Sequence, residues 1–241
     1  MGKKKPLRQI ADYPANALRN IAREFSLPYK YILIADLEHL FSQGFEKRML
    51  ELVQRLNIRK IPALLVYRIF EIDKDVREPK DKKDLNSLIS NGKAVTFHSR
   101  FSHENPHYIE GEADWLRKAE NLTHANIASI VRFSSPKWEP QFVSTSVIPY
   151  HDEGFPYRIR DNTSLRWELC RAGYLLYIVE DLFAFHRGIK QFDRAEKEET
   201  RLIQHHNLPR YRKALHVFVE RMDKQYPSTK EQCPVCNYFD S

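Results

Sequence analysis

The hydrophobic positions alternate between helical and extended patterns along most of the chain. Pro14 suits a first helical turn. Leu18, Ile21, Ala22 and Phe25 follow at i, i+3, i+4 and i+7 spacing, which puts them on one apolar stripe. Leu27-Pro28 ends that helix. Tyr29 to Ala35 is a short β-prone run, and its continuous hydrophobicity predicts a strand buried on both faces, as in a parallel sheet covered by helices. Residues 44–57 carry Phe45, Met49, Leu52, Val53 and Leu56 on one side and predict a second amphipathic helix. Ile61 to Ile72 reads as a strand, and after a charged stretch a short helix over 84–91 ends at Asn91-Gly92. Residues 93–140, rich in His, Asn, Pro and aromatics, read as loop-dominated. Phe142 to Ile148 is strand-like, Ser164 to Ala172 helical up to Gly173, and Tyr174 to Val179 extended. Residues 191–226 are mostly helical, with Pro209 marking a break.

Helix, strand, helix, strand is the α/β pattern. No repeat or low-complexity linker interrupts it, so one domain is expected over 12–227, between a polar lead-in (1–11) and a tail (228–241). The 241 residues suffice for a sizeable core. The apolar fraction of 42% and charged fraction of 29% are those of a globular chain. No apolar run reaches the roughly 20 residues that span a membrane, and the basic start Met1-Gly-Lys-Lys-Lys-Pro has no apolar stretch behind it. The net charge of +7 comes from Lys and Arg interspersed with Asp and Glu, without a recognition helix or paired zinc motif. A mixed solvated surface is expected, and no nucleic-acid partner. Cys170, Cys233 and Cys236 are too few for a disulfide scaffold. Cys233-Pro-Val-Cys236 offers only two of the four ligands of a structural zinc site, so a surface tail, with or without a local disulfide, is the expectation.

The chemistry concentrates at Ile32-Leu-Ile-Ala-Asp36-Leu37-Glu38. Ligands of open α/β sheets bind beyond the carboxyl ends of strands, and residues two apart on a strand point the same way. Asp36 and Glu38 are therefore expected to project together into that crevice. Two hard carboxylates suit Mn²⁺ or Mg²⁺, which can hold a diphosphate and neutralise a leaving nucleoside diphosphate. Taken alone, the pair could equally cap a helix or face water.

The surrounding motifs bear on that choice. Tyr13-Pro-Ala-Asn-Ala-Leu-Arg-Asn-Ile-Ala-Arg23 followed by the strand and Asp36-Leu37-Glu38 resembles the dystroglycan-type glycosyltransferases, family forty-nine of the glycosyltransferases. The resemblance continues in order through Ala63-Leu-Leu-Val66, Phe70-Glu-Ile72, Trp138-Glu-Pro140, Asp152-Glu153 with Phe155, Glu168-Leu169, Ala172-Gly173-Tyr174, His186-Arg-Gly188, Gln225-Tyr-Pro227 and Cys233. It implies a GT-A-like, Rossmann-like fold. It also implies an inverting, metal-dependent transferase that moves a sugar such as glucuronic acid from a UDP-sugar donor to a glycan or glycoprotein acceptor, in the Golgi lumen.

Residue by residue, the resemblance puts Asp36 and Glu38 in the family's Asp-x-Asp metal motif, with the longer Glu in second place, and His186 at a metal-ligand position for Mn²⁺ or Mg²⁺. Read without it, His186 is a histidine buried after the Leu182–Phe185 strand. Arg19 and Asn20 are placed beside the donor, where Arg suits phosphate or sugar carboxylate, with Arg23 one turn on. Arg187 and Lys190 are placed near the diphosphate. Asp152 or Glu153 is the implied base for the acceptor hydroxyl. Trp138 is either a sugar-stacking ring or a core residue.

Two departures from the family stand out. Ile159 and Asp161 occupy a loop where relatives carry a glycine and an asparagine. Relatives also have a membrane anchor, a stem and a first nucleotide-binding strand before the Tyr13-Pro14 motif, so the fold is expected without that N-terminal strand and any membrane attachment only through an anchor absent from this chain. A catalytically inactive relative that binds carbohydrate or scaffolds a partner is the alternative. Asn121-Leu-Thr123 and Asn162-Thr-Ser164 are formal glycosylation sequons, relevant only in a secretory lumen.

Overall fold

Ala63–Ile72 (β3) is apolar except at Arg68 and Glu71, and all ten of its residues are buried. It forms the centre of a mixed sheet of seven strands. On one side it runs parallel to Leu175–Arg187 (β7), with a register shift between Val66 and Arg68. On the other it pairs antiparallel with Gln141–Thr145 (β6), which in turn pairs with Tyr31–Leu33 (β1). His39–Phe41 (β2) closes the far edge on β7. Ala94–Thr96 (β4) and Ile127–Val131 (β5) extend β3 and β7 respectively. The computed structural model describes residues 6–234 and Cys236, apart from Leu27 and His103; the first five residues of the lead-in, the helix-ending Leu27 and the last five of the tail lie outside the described residues.

Alternation along β3 sends Leu64 and Val66 to one face and Leu65, Tyr67 and Ile69 to the other. Thr163–Arg171 (helix α6) and Arg194–Gln225 (α7) cover the first face, and Phe45–Leu56 (α3) the second. Lys82–Ser90 (α4) and Glu112–Arg117 (α5) seal a third cluster around Phe70, Phe183 and Phe185. The α/β class is as expected, and the arrangement is that of a GT-A-like, Rossmann-type fold.

Several elements differ from the sequence expectation. The 29–35 run forms only a three-residue edge strand, antiparallel to β6 and half-buried at Tyr31 and Leu33; the doubly buried parallel strand is β3. The 93–140 segment contributes β4, α5 and β5 rather than loop alone. Pro209 does not break α7, which runs unbroken. Its buried stripe Ile203, Asn207, Tyr211, Leu215, Phe218 and Met222 recurs at near-helical spacing, and packing over that length outweighs one lost backbone bond.

Ala15–Glu24 (α2) is turned over relative to its apolar stripe. Leu18, Ile21 and Phe25 are exposed, Phe25 to 81%, while Asn16, Asn20 and Arg23 are buried. The cause lies in the loop over 146–161, whose backbone carbonyls need donors. Asn16 Nδ2 donates to the carbonyls of Asp152 and Asp161. Asn20 donates to the His151 carbonyl and accepts from its N–H. Arg23 donates to the carbonyls of Pro149 and Ile148. Asn20→Ala is expected to cost about 1–3 kcal/mol because it orphans buried partners, whereas Phe25→Ala should stay within about 0.5 kcal/mol. Urea unfolding of the two variants decides this, and the reverse order would mean that the stripe, not the polar face, holds the helix.

The expectation of a surface tail at Cys233 and Cys236, with or without a local disulfide, is corrected. Cys233 is bonded to Cys170 on α6, and Cys236 is free and partly buried in the same core. Residues 227–232 form a 3₁₀ turn that returns the chain to α6, where the Thr229 hydroxyl bonds the Arg171 carbonyl. Because 63 residues separate the cysteines, reduction or Cys233→Ser should remove about 4 kcal/mol of stability. A denaturation midpoint unmoved by reductant would rule the bridge out.

Candidate functional site

Asp36, Leu37 and Glu38 form an exposed turn between β1 and β2, closed by the His39 N–H bonding the Asp36 carbonyl at 3.1 Å. They lie beyond the end of β1, not on it. What the turn faces is set by the register of β2 on β7, which puts His39 opposite His186. Across β7, His186 is in register with Glu71 of β3. The His186 Nδ1–H is directed at the Gly188 carbonyl at 3.3 Å, which leaves Nε2 toward Glu38, 3.0 Å from Oε2. The Asp36 carboxylate lies 3.7 Å from His39 Nε2.

The turn thus holds two carboxylate–imidazole pairs. Among the described residues, no three His, Cys, Asp or Glu side chains stand ready as a coordination shell. The donor types still fit a divalent ion. A carbonyl on Nδ1 fixes the tautomer that offers Nε2, as ligating histidines commonly require. His39 is buried with neither ring nitrogen partnered. Its burial lowers its pKa, against the opposing pull of Asp36.

Behind the turn stands an aromatic and histidine wall. Phe97 stacks on His98 with centroids 3.9 Å apart and packs edge-on against His39, His107 and His186. Burial, with His107 and Lys190 nearby, drives His98 down to about 3. Glu71 is fully buried, accepts from the Lys190 N–H, and is pushed up by burial. Glu139 accepts from the Thr163 hydroxyl, and its carbonyl accepts from His107 Nδ1–H. Burial would raise Glu139, but Arg166, His107 and Thr163 outweigh it and hold the carboxylate below its usual range. His39, Glu71, His98, His107 and Arg166 carried no role in the sequence reading. For His98 and His107 the only sequence signal was the density of His in a segment read as loop.

The remaining candidates are already engaged. Arg19 pairs with Asp161 at 2.8 Å and with Asn16, so Asp161 supplies this arginine with a counter-charge. Flanking Ile159, Arg158 and Arg160 both adopt positive φ. Arg187 is bound by Glu78 and by the carbonyls of Lys74 and Val76, holding down the charged 73–80 loop. Lys190 pairs with Glu196 and lies 4.0 Å over the Phe101 ring. Trp138 stacks on Phe133 and lines a hollow of about 360 Å³ with Tyr108, Arg132 and Lys137.

Asp152 and Glu153 point to different partners. Asp152 is held by Arg221 at 3.0 Å and by the Gly154 N–H, and lines a hollow of about 500 Å³ with Glu168, Tyr174 and Tyr226. Glu153 is exposed and accepts from the Asn20 amide. The structure therefore gathers Asp36, Glu38 and His186 at one place, and Arg19, Asn20, Asp152 and Glu153 around the 148–161 loop.

Comparison with known proteins bears on both groups. The profile described as "Glycosyl-transferase for dystroglycan" matches residues 2–227. The human beta-1,4-glucuronyltransferase 1 is 27% identical over 224 residues, covering 92% of this chain and 50% of its own length. The mouse protein of that name is 27% identical over 222 residues, and the zebrafish (Danio rerio) one 25% over 228. The chain spans about half the length of the curated relatives it matches. By the extent of the family match, from the lead-in through the end of α7, this chain belongs to the dystroglycan glycosyltransferase family.

Proposed function

We propose that the chain is a metal-dependent, inverting glycosyltransferase that moves a sugar, glucuronic acid by analogy with the relatives' name, from a UDP donor to a glycan or glycoprotein acceptor. The observation that carries this reading is the Asp36–Glu38 turn facing His39 and His186 in a chain of this family. Asp36, Glu38 and His186 would hold Mn²⁺ or Mg²⁺, which supplies neutralisation of the departing diphosphate. Arg19 and Asn20 serve the donor through the loop they anchor, and Arg187 and Lys190 by placing positive charge after His186.

The acceptor oxygen forms its bond to the anomeric carbon as the bond to the diphosphate breaks, and its proton passes to a carboxylate. Of the two candidates Glu153 is the freer, because Asp152 is tied to Arg221, which it shares with Glu168, while Glu153 is exposed and accepts from the Asn20 amide. Trp138 offers its ring to a sugar in the hollow it lines.

A Golgi lumen is supported by the Cys170–Cys233 bridge, since disulfides persist in oxidising compartments. Of the sequons, Asn121 is in a turn with exposed Thr123, whereas Thr163 and Ser164 of the other are buried. Among the described residues no helix is long and apolar enough to cross a membrane.

The deciding experiment titrates the chain with UDP in Mn²⁺ and in EDTA, then assays UDP-glucuronic acid turnover. Binding should require the metal and weaken at least tenfold in Asp36→Asn. Equal binding in EDTA refutes the metal role. Metal-dependent binding without turnover of any UDP-sugar favours the inactive carbohydrate-binding alternative.

A further inference from the structure

His39 is the unexplained member of the turn. Its side chain is 2% exposed and neither ring nitrogen has a hydrogen-bond partner. Burying a polar ring without a partner costs stability, so its presence needs a reason. Three observations point that ring at the same place as His186. The two are opposite one another across β2 and β7, so their side chains leave neighbouring strands on one face. Phe97 packs edge-on against both, at 5.4 and 6.0 Å, giving them a common wall. Each has a carboxylate of the same tripeptide next to it, Asp36 at 3.7 Å and Glu38 at 3.0 Å.

We propose that His39 is a ligand of the same ion as Asp36, Glu38 and His186, giving a site of two imidazoles and two carboxylates that selects Mn²⁺ or Co²⁺ over Mg²⁺. The inference rests on the metal reading of the turn given above. Two ligands at right angles on an ion with bonds of roughly 2.1 Å stand about 3 Å apart; the Glu38–His186 pair is already at that separation, and the exposed Asp36 carboxylate, 3.7 Å from His39, has to move closer. The exposed turn supplies the part that closes on the ion, and β2 and β7 supply the fixed imidazoles. Mg²⁺ takes oxygen ligands and keeps its waters, whereas imidazole suits the transition metals. Two nitrogens in one shell therefore bias the site away from Mg²⁺.

The test uses the full chain and the metals alone, by calorimetric titration with MnCl₂ and MgCl₂. The unaltered chain should bind Mn²⁺ at least tenfold more tightly than Mg²⁺. In His39→Gln, Mn²⁺ affinity should fall tenfold or more while Mg²⁺ affinity changes less than twofold. Mn²⁺ binding that is lost in Asp36→Asn but unchanged in His39→Gln overturns this inference and leaves the metal reading intact. No Mn²⁺ binding by the unaltered chain overturns both. Pulsed electron paramagnetic resonance of the Mn²⁺-loaded, unaltered chain gives an answer that does not depend on how a variant folds. Couplings to two histidine nitrogens are expected, and coupling to one overturns the assignment of His39.

Discussion

Arg166→Met is expected to lower the free energy of unfolding by about 3–5 kcal/mol, because it strips a buried charge from a network built around it. The guanidinium is 5% exposed. It donates to the Pro140 carbonyl from Nε and the second terminal nitrogen, and to the carbonyl and side-chain oxygen of Asn162 from the first. Those bonds tie α6 to the start of β6 and to the 156–162 loop. Burial lowers its pKa to about 10, against the pull of Glu139, so it remains charged at neutral pH. Glu139 depends on that charge in return, since Arg166 is the largest influence holding it below its usual range against burial. Removing Arg166 leaves the half-buried Glu139 carboxylate without its counter-charge and the carbonyls of Pro140 and Asn162 without their donor. Adding Glu139→Gln should restore part of the loss by removing the stranded charge, a coupling that a double-mutant cycle reads directly. A single-variant loss under about 1 kcal/mol would show that water replaces the guanidinium without penalty.

The elements legible in the sequence were those where one periodicity had one solution. Phe45, Met49, Leu52 and Val53 could only be the inner side of α3, and the apolar run Ala63-Leu-Leu-Val66 could only be a strand. α2 was misread because periodicity shows that a helix has an apolar side without showing which side the protein covers. Its polar side won, since the 148–161 loop offered carbonyls that Asn16, Asn20 and Arg23 could satisfy. Pro209 misled in the same manner, as a local penalty overruled by a long buried stripe. The partner of Cys233 was illegible because Cys170 is 63 residues away and meets it only after α7 turns the chain back.

At the candidate site, the Asp36–Glu38 tripeptide was visible as a motif, but its surroundings were not. His39 adjoins the motif in sequence, yet its burial and its place opposite His186 come from the pairing of β2 with β7. His98 and His107 lay in a segment without periodicity, and only β4 and the Phe97 contacts bring them to the wall behind the turn. Asp152 and Glu153, adjacent in sequence, face Arg221 and Asn20 respectively, a separation that two consecutive letters cannot convey.

Two imidazoles, half-buried His98 of the wall behind the turn and buried His151 of the 148–161 loop, make stability depend on pH. Burial drives both His98 and His151 down to about 3, helped by His107 and Lys190 in the first case and by Arg19, Arg166 and Arg23 in the second. In the unfolded chain both titrate near 6.5. Between those values the unfolded state binds protons that the folded state refuses, so stability falls as pH drops below about 6.5 and levels off only near 3. At pH 5 each histidine should have removed about 2 kcal/mol, or about 4 kcal/mol together, relative to pH 7.5. Glu71 and Glu112, raised by burial, act with the opposite sign, so the histidine contribution is read as a difference between proteins. Urea unfolding at pH 7.5 and pH 5 should show a smaller acid loss in His98→Gln and in His151→Gln than in the unaltered chain, by about 2 kcal/mol each. An identical acid loss in all three would mean that both rings accept protons in the folded state and, through His98, that the wall behind the Asp36 turn admits water and charge.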